Sequence, residues 1–401
     1  KLKAYSSLGR GVDVLQSFSY GPYYCGHEPG WYLNAPIYRA WSELCRETGA
    51  AEDLLVGAER VPTDVAFLYS TTTDIWTADE CELYGHDRMH TYLALTHAQI
   101  PVEVLDEEDV TKGALDRYRV LYLFGPNLKT EAAEAVAAWV RAGGTLYLGA
   151  GAAMADMYNR PARPLDEALG LERGEVELLE NHVGPGRYLA NLQPQGSVSF
   201  AAGEMTVLGL RQPIAMAPST NVSLACPAED GTPLHARVTC GEGMVFVAGF
   251  MPGLGYIYDA LKKRDAEGSP APDPDDWLDF ATRGSWTNLP PDALSYNPWE
   301  YPEAEREYLL EAVRYAQVRK PVTLSERLVE AFLLQSDAGS VVTLANYSLR
   351  PVEALKVAVR LDRAPASVES VRLGALQHAF EGGLLTVELP LSDTDMLLLR
   401  R

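Results

Sequence analysis

Cysteine is scarce in this chain. Its 401 residues include five (Cys25, Cys45, Cys81, Cys226 and Cys240), scattered and never in C-x-x-C spacing. Neither a zinc ribbon nor a redox pair is indicated, and a reducing compartment, the cytoplasm first, is the reading favoured. Positive charge is scarce too. The 34 Lys and Arg stand against 55 Asp and Glu, for a net charge of -21, which argues against nucleic acid as a partner because phosphate backbones need clustered cations. No apolar run approaches the roughly 20 residues of a membrane helix. Nothing at Lys1-Leu2-Lys3 resembles a signal peptide, which would need an apolar core of about 7–15 residues. The missing initiator methionine reads as a processed product or a piece of a longer polypeptide.

A nucleophile is missing as well. Two apolar strands, Val65–Ser70 (VAFLYS) and Val120–Gly125 (VLYLFG), flank helical patterns. A third, Thr145–Ala150 (TLYLGA), breaks into the turn Gly149-Ala150-Gly151 before Ala152, Ala153 and Met154. A strand entering such a turn and then a helix is where many α/β enzymes expose a Cys or Ser. Here only glycine, alanine and methionine occupy it.

What is present is a globular composition, 47% hydrophobic and 22% charged, in a chain long enough for two or three domains. Val12–Phe18 (VDVLQSF) reads as a short buried strand. An aromatic loop follows, with Tyr20, Tyr23, Tyr24, Trp31 and Tyr32. A helix then has Asn34 as its cap and Pro36 in its first turn. Ile37, Ala40, Trp41, Leu44 and Cys45 share one face, and Gly49 ends it. One strand and one helix form no core by themselves, so they read as the last βα unit of something larger.

Strand Val65–Ser70 leads into a polar loop, Thr71–Trp76. A helix near Asp87–Ala98 presents Met89, Tyr92, Leu93 and Thr96 inward. Strands Val102–Leu105 and Val120–Gly125 come next, and Thr130 caps a helix with Val136, Trp139 and Val140 inside and Gly143-Gly144 at its end. Strands alternating with helices imply a parallel sheet covered on both faces. From Glu175 to Phe250 the pattern changes to short β segments with turns at Asp230-Gly231 and Glu242-Gly243 and a buried closing strand, Met244–Phe250. Lys262–Pro302, rich in Pro, Asp and Trp, reads as a long ordered loop or linker, and a helix near Glu303–Val318 follows. From Pro321 the runs Leu328–Leu334, Val341–Asn346, Leu355–Leu361, Leu384–Leu389 and Met396–Leu399 alternate as in an antiparallel sheet or sandwich.

Arg88–Ile100 (RMHTYLALTHAQI), then PVEVLDEEDV, YRVLYLFGPNL and AAWVRAGGTLYLGAG, together resemble the middle, trimerisation domain of β-galactosidases of glycoside hydrolase family 42. The resemblance implies a class I glutamine amidotransferase-like α/β fold for residues 61–262. GVDVLQSFSYGPYY and the helix after Asn34, within residues 1–60, look like the eighth strand and helix of the (β/α)8 barrel that precedes that domain. Residues 263–320 would be a linker loop and helix, and residues 321–401 are similar in position to the C-terminal β-sandwich. The resemblance further implies a carbohydrate substrate, a homo-oligomer, no cofactor, and a preceding barrel segment in the same polypeptide or a separate chain. The family's acid/base and nucleophile glutamates follow its fourth and seventh barrel strands. Both would lie before residue 1, so no catalytic residue is assigned here. The linker and Met251–Tyr256 (MPGLGY) match nothing placed in the family.

Residues just after a barrel strand line the active-site face. Tyr20, Tyr23, Tyr24, His27, Glu28 and Trp31 are therefore the candidate sugar contacts, by aromatic stacking and edge hydrogen bonds. The alternative is a loop packed between domains. Glu28 alone does not make a hydrolase, which needs two carboxyls roughly 5–10 Å apart, and Asp13 lies on the apolar strand. Asp74 and Trp76, at the carboxyl end of a parallel strand, are further candidate contacts, against an ordinary polar loop with one packed Trp. His86 and His90, at i and i+4, could share a metal ion, with His97 too far along the helix. Solvated or hydrogen-bonded histidines are the preferred reading. Glu107, Glu108 and Asp109 lack a calcium loop's spacing and read as a solvated face or helix start. Gly184-Pro185-Gly186 and Gly241-Glu242-Gly243 are turns. Three functions stay open: part of a glycoside hydrolase, a non-catalytic carbohydrate-binding or assembly module, and a hydrolase using Cys81 or Cys45.

Overall fold

The computed structural model describes residues 1–16, 35–77, 83–179, 192–215, 222–266, 301–348 and 350–401. The aromatic loop and Asn34, Cys81, the Gly184-Pro185-Gly186 turn and most of the expected linker lie outside them.

Strands buried on both faces belong between two helix layers, and the middle of the chain is built that way. Its strands are β1 (Val65–Tyr69), β2 (Glu103–Asp106), β3 (Val120–Leu123), β4 (Thr145–Leu148), β5 (Val222–Pro227), β6 (Pro233–Cys240) and β7 (Gly243–Ala248). The sheet order is β5-β6-β7-β4-β3-β1-β2. Pairing is parallel from β7 through β2, while β5 and β6 continue the sheet antiparallel. The closing strand read from the sequence is thus central, with β4 on one side and β6 on the other.

The described helices used below are α1 (Leu2–Gly9), α2 (Ala35–Ala50), α3 (Thr71–Thr77), α4 (Leu83–His97), α5 (Thr130–Arg141), α6 (Pro252–Ala266) and α7 (Glu303–Leu309). On one face of the sheet Phe67, Tyr122 and Tyr147 pack with Ala94, Tyr256 and Tyr308 of α4, α6 and α7. On the other, Leu121 and Leu146 meet Ala133, Val136 and Val140 of α5.

Three local expectations change. The loop Thr71–Trp76 is helix α3, because the Ser70 hydroxyl accepts the Thr73 N–H at 3.0 Å and caps its first turn. Thr130 is the first residue of α5 rather than its cap; the Lys129 N–H before it donates to the Glu107 carboxylate at 2.9 Å. The buried face of α4 is also wider than expected, although Tyr92 and Leu93 do pack on the core and Thr96 is buried. Met89 is 51% exposed, whereas Asp87, His90, Thr91 and Ala94 are buried, because the neighbour on that side is α6, which offers backbone donors to polar groups.

The C-terminal region holds two antiparallel sheets. One orders Glu59–Arg60, Val329–Ser336, Gly339–Asn346, Thr394–Arg400, Ser367–Ser370 and Gly374–Ala375. The other orders Val322–Leu324, Val352–Arg360, Leu384–Leu391 and His378–Glu381. Val342, Leu344 and Leu397 of the first share a core with Val357, Leu385 and Leu389 of the second. Leu384–Leu391 alternates as expected, but Gly339–Asn346 is buried throughout. The N-terminal helices cause this, since Tyr5, Leu44 and Leu54 cover its outer face beside Val341, Met396 and Leu398.

The expected strand Val12–Phe18 is not formed over its described part. Val12–Gln16 has no strand, and Val14 is 77% exposed. A strand needs a partner for its ladder hydrogen bonds, and no described strand pairs with it. The helix read after Asn34 is present as α2, with Leu44 buried and Cys45 exposed.

Arg10, just after α1, joins three parts of the chain. Its Nη1 and Nη2 donate to the Glu330 carboxylate at 3.2 and 3.3 Å, its Nε donates to the Tyr92 hydroxyl at 2.9 Å, and its guanidinium lies 4.6 Å above the Phe332 ring.

Candidate functional site

In sheets of this kind ligands bind beyond the carboxyl ends of the strands, where the strand order reverses. Here that point lies between β1 and β3, and the chain fills it with its own polar side chains. Glu107, buried after β2, accepts from the Thr72 hydroxyl at 3.1 Å as well as from the Lys129 N–H. The Ser70 and Thr73 hydroxyls donate to the Asn127 carbonyl at 2.9 and 3.0 Å. Asn127 in turn reaches the Asp156 carbonyl and the Asn159 side chain. Gly125, at φ +85°, is required because a Cβ there would stand 2.4 Å from Thr73. The Ser70, Thr72 and Thr73 hydroxyls and the Asn127 amide all donate within the chain, while the Asn127 Oδ1 acceptor is buried without a partner.

The glycine turn after β4 is closed in the same way. Gly151 N–H donates to the Gln212 side chain at 2.9 Å, and Gln212 is fully buried, its amide donating to the Gly174 carbonyl at 3.0 Å. A Cβ on Gly151 would meet the Tyr84 hydroxyl at 2.7 Å. Ala150, Ala152 and Ala153 are buried, and no helix follows until Pro164. The nucleophile's position is therefore packed protein rather than an open elbow.

Asp74 and Trp76 stand outside this closed crevice, on α3. Both oxygens of Asp74 accept from Arg88 at 3.3 Å, and Arg88 lies 4.6 Å over the Tyr69 ring. Asp74 pushes the Tyr69 hydroxyl upward in pKa by accepting a hydrogen bond from it. The Trp76 indole N–H donates to the Met157 carbonyl at 3.2 Å. The indole is half-exposed, as is Met157, and Ile75 and Tyr158 beside them are more exposed still. Asp74 is thus committed to Arg88, while Trp76 belongs to an apolar shelf.

Of the three histidines, His90 and His97 are buried rather than solvated, and burial pushes both down to about 3, so they are neutral. His97 Nδ1 bonds the Tyr256 hydroxyl at 2.7 Å. The rings of His86 and His90 stack face to face 5.9 Å apart instead of converging on one point. The acidic run starts a short helix, Glu107–Thr111, with Asp106 and Asp109 forming a reciprocal cap.

The six candidates of the aromatic loop lie outside the described residues. The residues leading to it help form an open groove of about 640 Å³, lined by Leu8, Val12, Leu15, Trp41, Leu44 and Val56. Sequence reading did not find this groove, because its walls come from α1, α2 and the C-terminal sheet. Nor did it find the buried carboxyls Asp87 and Glu305, since nothing local marks them as interior.

No family model matches the sequence, and no curated protein matches it either. Solved structures do match. A catalytic mutant of Gan42B, a GH42 β-galactosidase from G. stearothermophilus, is 15% identical with a TM-score of 0.63, over 100% of this chain and 50% of that one. The β-galactosidase from Bacillus circulans sp. alkalophilus is 14% identical with a TM-score of 0.57, over 91% of this chain and 45% of that one. The α-L-fucosidase isoenzyme 2 from Paenibacillus thiaminolyticus is 16% identical with a TM-score of 0.52, over 92% of this chain and 53% of that one. This chain shares the fold of part of these glycoside hydrolases and spans about half their length.

Proposed function

We propose that this chain is the C-terminal portion of a β-galactosidase-like glycoside hydrolase, giving barrel-edge subsite residues and oligomerisation to an enzyme whose catalytic glutamates lie upstream of residue 1. The observation that carries this reading is the end-to-end likeness in fold to half of a solved β-galactosidase. The division proposed is residues 1–60 for the last barrel unit, 61–262 for an amidotransferase-like domain, 263–320 for a linker and helix, and 321–401 for a β-sandwich. The complete enzyme would cleave glycosidic bonds with a pair of carboxyls, one protonating the leaving oxygen. Tyr20, Tyr23, Tyr24, His27, Glu28 and Trp31 would contact the sugar.

Hydrolysis of aryl β-galactosides and other aryl glycosides by the polypeptide that includes the upstream residues tests this. Activity should vanish when either upstream glutamate becomes Gln. Trp31→Ala should lower kcat/KM roughly 3- to 10-fold, the worth of one aromatic stacking contact. Hydrolysis that survives loss of both glutamates would overturn the reading. The closed crevice favours one alternative, a non-catalytic carbohydrate-binding or assembly module with a degenerate amidotransferase-like domain, and sugar binding without turnover would select it.

For oligomerisation, the shelf of Ile75, Trp76, Met157 and Tyr158 has the composition of an interface centre. Ile75→Asp with Trp76→Asp should shift sedimentation from an oligomer to the monomer. An unchanged sedimentation coefficient would remove the shelf from the proposal.

A further inference from the structure

We propose that α6 is held by a pH-operated latch of two buried carboxyls, Asp87 from α4 and Glu305 from α7, which grips most tightly in acid and loosens toward neutrality. The motif MPGLGY, which the resemblance left without a role, is the part gripped. Asp87 accepts the Gly253 N–H at 2.7 Å and so caps α6 from another helix. Glu305 accepts the Thr206 N–H of strand Gly203–Thr206 at 3.3 Å, and its Oε1 lies against Gly255 in the next turn of α6. Both glycines of the motif allow this approach. A Cβ on Gly253 would stand 2.7 Å from Asp87 Oδ1 and 2.9 Å from Thr91 Oγ1, and one on Gly255 would stand 3.0 Å from Glu305 Oε1.

The surroundings offer these carboxyls no countercharge. Neither forms an ion pair among the described residues. Arg306, next to Glu305, is engaged by Glu303 and Glu307. The titratable neighbours are His86 and His90 on α4, Tyr147 on β4, Tyr256 and Asp259 on α6, and Tyr308 on α7. Glu204, on the hairpin strand that carries Thr206, is taken by Ser197. His90 is neutral, and Asp259 only adds repulsion to Glu305. The Thr91 hydroxyl, the Tyr147 hydroxyl and Glu305 Oε2 are buried without a hydrogen-bond partner, so the space is polar but uncharged. A carboxyl in such a place holds its proton. Burial accordingly pushes Asp87 from 3.8, and Glu305 from 4.5, each to about 7.

The sign follows from linkage. With α6 in place both acids keep protons that they release to water when α6 swings away. Between about pH 4 and 7 each carboxyl therefore weakens the grip by up to roughly tenfold per pH unit, and above 7 the effect levels off.

Amide hydrogen exchange on the full chain reads this directly. After correction for intrinsic rates, protection at Leu254 and Gly255 should fall at least tenfold from pH 5 to 7 and stay level above. Amides of Val341 and Leu398, in the C-terminal sheet, should not follow. Asp87→Asn should remove part of the slope, and Asp87→Asn with Glu305→Gln all of it. Flat protection in the wild type, a slope shared by Val341 and Leu398, or a slope kept in the double variant would each overturn the latch. Should a variant fail to fold, carboxyl carbon resonances of the wild type decide. Midpoints near 7 for Asp87 and Glu305 support the latch, and midpoints below 5 sink it.

Discussion

Glu330→Ala should lower stability by about 2–4 kcal/mol, in the range of a buried ion pair that loses one partner. Glu330 is buried, whereas its partner's side chain is 27% exposed, which is why the upper end of that range is not reached. Removing the carboxylate strands more than a charge. The Ser6 hydroxyl donates to Glu330 at 2.5 Å, so α1 loses its anchor on the C-terminal sheet together with Arg10. Gly9 shows how close that docking is, since a Cβ there would stand 2.3 Å from the Thr343 hydroxyl. Urea denaturation followed by circular dichroism measures the loss. Replacing both members, Arg10→Met with Glu330→Met, should recover most of it, because an apolar pair leaves no charge unpaired. A loss below about 0.5 kcal/mol in Glu330→Ala would reduce the Arg10 junction to an ordinary surface pair.

That junction also marks where sequence reading stops. Periodicity found β1, β3, β4 and the five longest C-terminal strands to within a few residues, because a strand's burial is written in its own side chains. It missed α3, since Thr71, Thr72 and Thr73 are weak helix formers and the capping hydroxyl belongs to Ser70 in the strand before. It misjudged α4 for a related reason. Asp87 and His90 look like solvent-facing residues until α6, far along the chain, supplies the donors and the cover. The candidate site divides along the same line. The blank glycine turn was legible as the lack of Cys or Ser, but its stoppers, Tyr84 and Gln212, come from distant segments. The N-terminal unit read as a barrel edge is, in its described helices, also the outer cover of the C-terminal sheet. No local pattern in residues 1–60 announces that contact.

Gly243→Ala should be the most damaging of the small substitutions. A Cβ at this position would stand 1.9 Å from the Val140 carbonyl oxygen and 2.4 Å from that of Gly144. Both are backbone atoms, so no rotamer change relieves the contact and β7 must move away from the end of α5. The turn between β6 and β7 exists to serve that helix end. The Glu242 N–H donates to the Arg141 carbonyl at 3.0 Å, satisfying an acceptor that the last turn of a helix leaves open, and the Met244 N–H donates to the Gly144 carbonyl just beyond it. A cost above roughly 3 kcal/mol is expected, beyond ordinary overpacking, which typically costs 1–3 kcal/mol. Gly231→Ala is the contrasting control. Its φ of +83° is left-handed, as that of Gly243 is not, but a Cβ there meets nothing within 4 Å, so it should cost only the conformational strain of about 1–2 kcal/mol. Trp139, packed against Gly144, reports the local loosening by fluorescence during urea titration. The damage should also reach the blank turn. β7 pairs with β4 and ends at Ala248, and the carbonyl of the next residue, Gly249, accepts the Gln212 N–H at 2.7 Å. Exchange of the Gly151 amide should therefore quicken in Gly243→Ala and not in Gly231→Ala. Equal costs for the two variants, or an undisturbed Gly151, would mean that β7 shifts without the sheet and that the stopper at the glycine turn stands independently of it.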